Sequence, residues 1–178
     1  MEEDTIVTRI AGYDDEKFAG IISIETETSA QLRGSGISKR SPASIVQKMR
    51  EGKAVIAVTN RGEWAGFSYI EIWGNGEFVS NSGLIVSPPF RSCGVAAAIK
   101  KKIFSLGREK YPAAKIFSIT TGLAIMKLNA RLGFETVTFN EITNDKQFWD
   151  GCQSCVNHDI LVAKCYKNCL CTAMRYTP

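Results

Sequence analysis

Hydrophobic and polar positions change their period several times along the chain. Residues 5–10 alternate, which predicts a strand. Residues 13–32 carry Phe18, Ile21, Ile22 and Ile24 against a polar remainder, which predicts a helix, broken near its end. Residues 33–41 are a loop of Gly, Ser and basic residues. Ser41 can cap the helix that Pro42 opens, and Gly52 can end it. Three strands follow, at 53–59, 64–73 and 77–86, with turn signals at 60–62 and 74–76. A long helix is predicted over 95–110, with Tyr111-Pro112 past its end. A strand at 115–120, a helix at 123–132 closed by Gly133 and a strand at 134–142 come next. The remainder reads as a short helix around 146–149, a Cys-rich loop and a last strand near 171–176.

Antiparallel strands followed by strand-helix-strand crossovers predict an α/β fold, a mixed sheet with helices on both faces. One domain is expected over 1–178, with residues 142–178 a Cys-rich extension packed on it. Among the 178 residues, 44% are hydrophobic and 22% charged, a balance that argues against disorder. The formal net charge is +4, but no dense basic stripe interleaves with aromatics, so nucleic acid is not an expected partner. The run Lys100-Lys101-Lys102 reads as a solvated helix face. No apolar stretch approaches the ~18 residues of a membrane span. The acidic start Met1-Glu2-Glu3-Asp4 is not followed by an apolar signal segment, so a soluble cytoplasmic protein is expected.

The chemistry concentrates where a strand passes through a turn into the long helix, at Leu84-Ile85-Val86-Ser87-Pro88-Pro89-Phe90-Arg91-Ser92-Cys93-Gly94-Val95-Ala96. Arg91, Gly94 and Ala96 fit the spacing R-x-x-G-x-A. Amides at a helix start lack intrahelical acceptors, and together with the helix dipole they attract phosphate. Small residues at 94 and 96 would leave that approach open, and Arg91 would add a fixed charge. The same spacing also suits tight packing at a helix start. The strand before it and the strand-helix-Gly-Phe unit downstream favour the phosphate reading.

These anchors, together with Leu132-Gly133-Phe134, resemble the GNAT superfamily of acyl-CoA-dependent N-acyltransferases over roughly residues 5–140. The resemblance implies a mostly antiparallel sheet with a V-shaped split between the strands ending near Val86 and Thr120. It implies an acyl-CoA co-substrate, acetyl-CoA or another. The pantetheine arm would pair with the backbone of Leu84, Ile85 and Val86, and the pyrophosphate would rest on the amides of Cys93 to Ala96, with Arg91, Ser92 and Val95 in the same turn and Thr120 across the split. It also implies frequent homodimers.

The family's usual acid, a Tyr, falls on Asn129 by spacing, and its usual base, a Glu, falls on Ser82. Glu71 and Glu77 are alternative bases, each more readily read as a surface strand residue. Asn81, Ser82 and Thr120 could orient a water. Arg33, Lys39 and Arg40 bracket a loop suited to the carboxylates of a small anionic amine. That loop, Thr120 to Lys127 and the Cys-rich tail resemble a subgroup that acylates amino acids such as glutamate from acetyl- or succinyl-CoA. A protein amine as acceptor, and a non-catalytic acyl-CoA sensor, are the alternatives.

Six cysteines include Cys152, Cys155, Cys169 and Cys171, numerous enough for tetrahedral zinc. Their C-x-x-C and C-x-C spacings suit plain thiols better, so a metal is not the favoured reading. Cys93 contributes its amide to the phosphate turn, and His158 reads as structural.

Overall fold

A computed structural model describes residues 5–34 and 39–178. The chain opens with strand β1 (Ile6–Ile10), a 3-10 turn at Tyr13–Phe18 and helix α1 (Ala19–Arg33). Helix α2 (Pro42–Arg50) starts where Ser41 Oγ accepts the Ser44 amide at 3.2 Å, with Pro42 in the first turn, where a missing N–H costs nothing. The meander β2 (Ala54–Thr59), β3 (Trp64–Trp73) and β4 (Phe78–Val86) follows. Then come α3 (Val95–Lys110), β5 (Lys115–Thr120), α4 (Leu123–Arg131), β6 (Glu135–Val137), the short helices α5 (Lys146–Asp150) and α6 (His158–Ala163), and β7 (Thr172–Tyr176).

All seven strands form one sheet in the order β1-β2-β3-β4-β5-β7-β6. Every pair is antiparallel except β4 with β5. That parallel pair holds only at Phe78↔Lys115, Val79↔Ile116 and Ser80↔Phe117. Beyond these rungs β4 runs on to Val86 and β5 to Thr120 without pairing to each other, which opens a V in the sheet.

Alternation along the strands gives the sheet two faces. On one, Ile99, Ile103 and Leu106 of α3 pack over Val55, Ala57, Val79 and Ile116. On the other, Ile22 of α1 and Ile45 and Met49 of α2 cover Ile56, Phe67 and Ile85. The C-terminal segment covers the rest of that second face, where Phe139, Ile142 and Leu161 bury Phe78, Phe117 and Ala173. The expected α/β class, with its mostly antiparallel sheet, two helical layers and parted strands, is the one observed. No helix among the described residues is long and apolar enough to cross a membrane.

Three local expectations are corrected. The break in the first helical region lies at its start, because residues 13–18 form 3-10 turns before α1. The strand expected over 134–142 is confined to Glu135–Val137. A capping box between Thr138 and Glu141 then turns the chain into a 3-10 helix. The Cys-rich loop contains α6, and β7 enters the sheet between β5 and β6.

Candidate active site

The site is built around an irregularity in β4. Its register against β3 moves from Phe67↔Ile85 to Tyr69↔Ser82, so Gly83 and Leu84 together face Ser68 in a bulge. Gly83 holds φ +64, and a Cβ there would stand 2.6 Å from Tyr69 Cε1. Ser68 Oγ fixes the bulge by donating to the Ser82 carbonyl at 2.8 Å. Past the bulge, the β4 edge that faces β5 has no ladder partner among the described residues.

The edge leads through the 3-10 turn Pro88–Phe90 to α3. Gly94 takes φ +79 as the residue before the helix. The first amide of α3 with an acceptor among the described residues is that of Ala98, which donates to the Gly94 carbonyl at 3.1 Å. The amides of Val95, Ala96 and Ala97 are therefore the uncommitted donors of a helix start. Arg91, Ser92, Cys93 and Gly94 are exposed, whereas Val95 is buried and anchors the turn to the core.

Between the parted strands lies a cavity of about 240 Å³. Its walls include Ser80, Asn81, Ser82 and Leu84 of β4, Phe117, Ser118 and Thr120 of β5, Lys100 of α3, Arg33, Arg40, and Phe148, Cys152, Cys155 and Cys171 of the C-terminal segment. No Asp, Glu, His or Tyr lines it among the described residues.

Solved structures share this fold. Rv2747 of Mycobacterium tuberculosis, in complex with CoA and NLQ, superposes with a TM-score of 0.68 at 16% identity, over 97% of this chain and 99% of that one. The N-acetylglutamate synthase of Neisseria gonorrhoeae, complexed with coenzyme A and N-acetyl-glutamate, gives 0.66 at 14% identity over 99% of this chain. This chain spans only 36% of that protein. A GNAT-family acetyltransferase of Listeria monocytogenes gives 0.63 at 14% identity, over 97% of this chain and 95% of that one. The chain has the GNAT fold. No protein-family model matches the sequence, and no curated protein matches it.

Within the GNAT fold, the residues singled out from sequence separate into two groups. Ser82, Leu84, Thr120, Arg33 and Arg40 line the cavity. Ser82 Oγ sits 2.9 Å from Ser80 Oγ, which accepts the Trp73 indole N–H at 2.9 Å. Thr120 Oγ1 accepts the Gly122 amide at 3.0 Å. Arg33 Nε donates to the Ser29 carbonyl at 3.2 Å, and Arg40 Nε to Tyr69 Oη at 2.7 Å. Ile85 turns into the core beneath α1 and α2, so it can offer a ligand only backbone, and Val86 packs toward α3.

The others are placed elsewhere. Asn129 is fully buried, its Nδ2 directed to Met174 Sδ at 3.7 Å, and it does not line the cavity. Helix α4 turns it toward β7, away from the V. Glu71 is likewise off the cavity, because α2 brings Lys48 Nζ to 2.6 Å from its carboxylate. Glu77 is exposed beside Lys115. Lys39 is exposed and off the cavity, its amide on Ser154 Oγ at 3.3 Å. The basic loop of the sequence reading falls partly on residues 35–38, outside the described residues. Arg91 is not an isolated cation. Its Nη2 donates to Glu25 Oε1 at 2.7 Å and Ser29 Oγ at 2.9 Å, and its Nε to the Val86 carbonyl at 3.3 Å. It ties the turn to α1 and shares its charge with Glu25.

The tail thiols form part of the wall. Burial, and then the neighbouring thiols, push Cys152 up to about 11 and Cys171 up to about 12. Among the described residues no group of three or more His, Cys, Asp or Glu side chains is arranged to hold a metal ion. The thiols of Cys152, Cys155, Cys169 and Cys171 nevertheless lie near enough to influence one another's titration.

Lys100 is the residue the sequence misled us about. It is 2% exposed, not solvated, with Nζ 3.4 Å from Ser118 Oγ. The signal was present in the helical spacing. Val95, Ile99, Ile103, Leu106 and Gly107 form the buried stripe of α3, and Lys100 falls within it.

Proposed function

We propose that the protein transfers an acyl group, acetyl or succinyl, from acyl-CoA to the amine of a small anionic acceptor such as the amino acid glutamate. The observation that carries this reading is the unpaired β4 edge beyond Ser80, which runs from a polar cavity to uncommitted helix-start amides. A pantetheine arm carries amides and can pair with that edge as an added strand. The pyrophosphate would then reach the amides around Cys93 to Ala96, where the α3 dipole also favours it. The thioester would lie beside the Gly83–Leu84 bulge, where a backbone N–H can face the oxyanion. Two structural neighbours are described with CoA, and one of them with N-acetyl-glutamate.

A thioester is already activated, so holding an amine against it supplies much of the rate. Arg33 and Arg40 would hold the acceptor's carboxylates. The attacking nitrogen loses a proton to water oriented by Asn81, Ser82 and Thr120, and attack breaks the carbon–sulfur bond to release CoA thiolate.

One observation favours a second reading, a sensor that binds acyl-CoA without turnover. No carboxylate, imidazole or phenol lines the cavity among the described residues. Measuring CoA release with acetyl- and succinyl-CoA, over a panel of amino acids and of peptides, separates the readings. Release with small anionic amines supports the enzyme, and release with peptides alone moves the acceptor to a protein. Tight CoA binding with no release under any condition establishes the sensor.

A further inference from the structure

The apex of the V collects hydrogen-bond donors, and no anion among the described residues receives them. Ser80↔Phe117 is the last rung between β4 and β5, and Asn81 and Ser118 are the next residue on each strand. Alternation sends both side chains to the face that α3 covers, the face of Val79 and Ile116. Lys100 meets them there, 2% exposed, with Nζ 3.4 Å from Ser118 Oγ. Asn81 is 7% exposed, and neither Nδ2 nor Oδ1 has a partner among the described residues. All three residues line the cavity.

A buried ammonium without a counter-ion and an amide without partners are each costly. Such groups are rare in folded chains, and ordered water, an ion or a bound ligand is what completes them. Lys100 forms no ion pair among the described residues, and only one of its three protons has a placed acceptor. One carboxylate, with two acceptor oxygens, can receive both the Lys100 ammonium and the Asn81 Nδ2–H.

We propose that Lys100, Asn81 and Ser118 form a carboxylate-binding subsite at the apex of the V. Its ligand is a carboxylate brought by one of the two substrates. An acyl donor that is the monothioester of a dicarboxylic acid would place its far carboxylate there, and an amino-acid acceptor could present one of its own. The subsite deepens the acyltransferase reading, since its ligand is a part of one of that reaction's substrates.

The test compares the wild-type protein with Lys100→Met and Ser118→Ala by calorimetry. Lys100→Met keeps a straight chain of similar length and removes a buried charge, so it should fold, as circular dichroism will verify. Four ligands are titrated: CoA, acetyl-CoA, succinyl-CoA, and glutamate in the presence of CoA. We expect Lys100→Met to leave CoA and acetyl-CoA affinities unchanged. We expect it to weaken the carboxylate-bearing ligand by about ten- to a hundredfold, the effect of losing a charge-assisted hydrogen bond. Ser118→Ala should weaken the same ligand less. A loss confined to succinyl-CoA assigns the carboxylate to the donor, and a loss confined to glutamate assigns it to the acceptor.

If every ligand binds both variants as it binds the wild type, the subsite is overturned while the CoA site stands. If the wild type binds no CoA, the acyltransferase reading fails by itself. The subsite is then judged by free succinate, which should raise the melting temperature of the wild type and not that of Lys100→Met. Equal shifts in the two proteins would overturn it.

Discussion

Lys100 and Asp15 are both charged and both almost fully buried, and they load the folded state in opposite directions. Burial pushes the Lys100 ammonium from the ordinary 10.5 down to about 8, and no charged neighbour offsets it. Below pH 8 both the folded and unfolded chains carry the proton, and the full desolvation cost is present. Between about 8 and 10.5 the unfolded chain binds more protons, so stability rises with pH and the cost disappears. We expect Lys100→Met to stabilise the protein by about 1–3 kcal/mol at neutral pH and by almost nothing above the unfolded lysine's own titration. Urea unfolding at the two pH values checks this. Asp15 is also desolvated, but that effect is outweighed by Arg9, bound at 2.6 and 2.9 Å, and by the Gly12 amide at 2.8 Å, so its titration lies below 3.8. Its contribution is full above the unfolded value near 3.8 and is lost as pH falls through the lower folded value. Asp15→Asn should therefore cost stability at pH 7, and its deficit relative to wild type should shrink steadily as the solution is acidified below pH 4. A deficit unchanged at low pH would show that the Arg9 pair contributes nothing through charge.

At the scale of elements, period and punctuation carried most of the reading. The strands at 64–73 and 115–120 and the helix at 95–110 fall where alternation, helical spacing and flanking Gly or Pro place them. The segment at 134–142 does not. Phe139 and Ile142 are apolar and buried, but a local bond between Thr138 and Glu141 turned the chain before a ladder could continue. Helix α3 carries an expectation of its own. Ala97 is exposed in its first turn, beside the uncommitted amides. A carboxylate there stabilises the helix through the dipole by about 0.3–1 kcal/mol but repels a diphosphate. Ala97→Glu should thus raise the CoA dissociation constant at least severalfold while the melting temperature stays level or rises. Unaltered CoA affinity in calorimetry would move the phosphate site away from this turn.

For the whole molecule, the last strand matters most. Among the described residues, β7 is the only partner of β6 and the main partner of β5, whose other neighbour holds it by three short rungs. It also contributes Ala173 and Met174 to two of the three buried clusters. A chain ending at residue 170 should lose its cooperative unfolding transition and expose Phe117 and Phe134 to solvent. Denaturant titration followed by aromatic fluorescence reads this directly. A sharp transition in the truncated chain would mean that the sheet closes without its final strand.

Local order was legible in the amino-acid sequence by itself. Hydrophobic spacing, helix caps and turn residues specify strands, helices and the strand-turn-helix passage at 84–96, because those preferences act over a few neighbouring residues. What the chain brings together across long separations was decided only by the tertiary structure. Asn129 and Glu71 were named by their position along the chain, yet α4 turned one toward β7, and Lys48 of α2 took the other. Asn81 was named only as a water-orienting residue, Lys100 was read as solvated and Ser118 was not singled out, and they became neighbours because two parallel strands part beneath α3. Burial and charge compensation belong to the space between elements, and no pattern within a single element contains them.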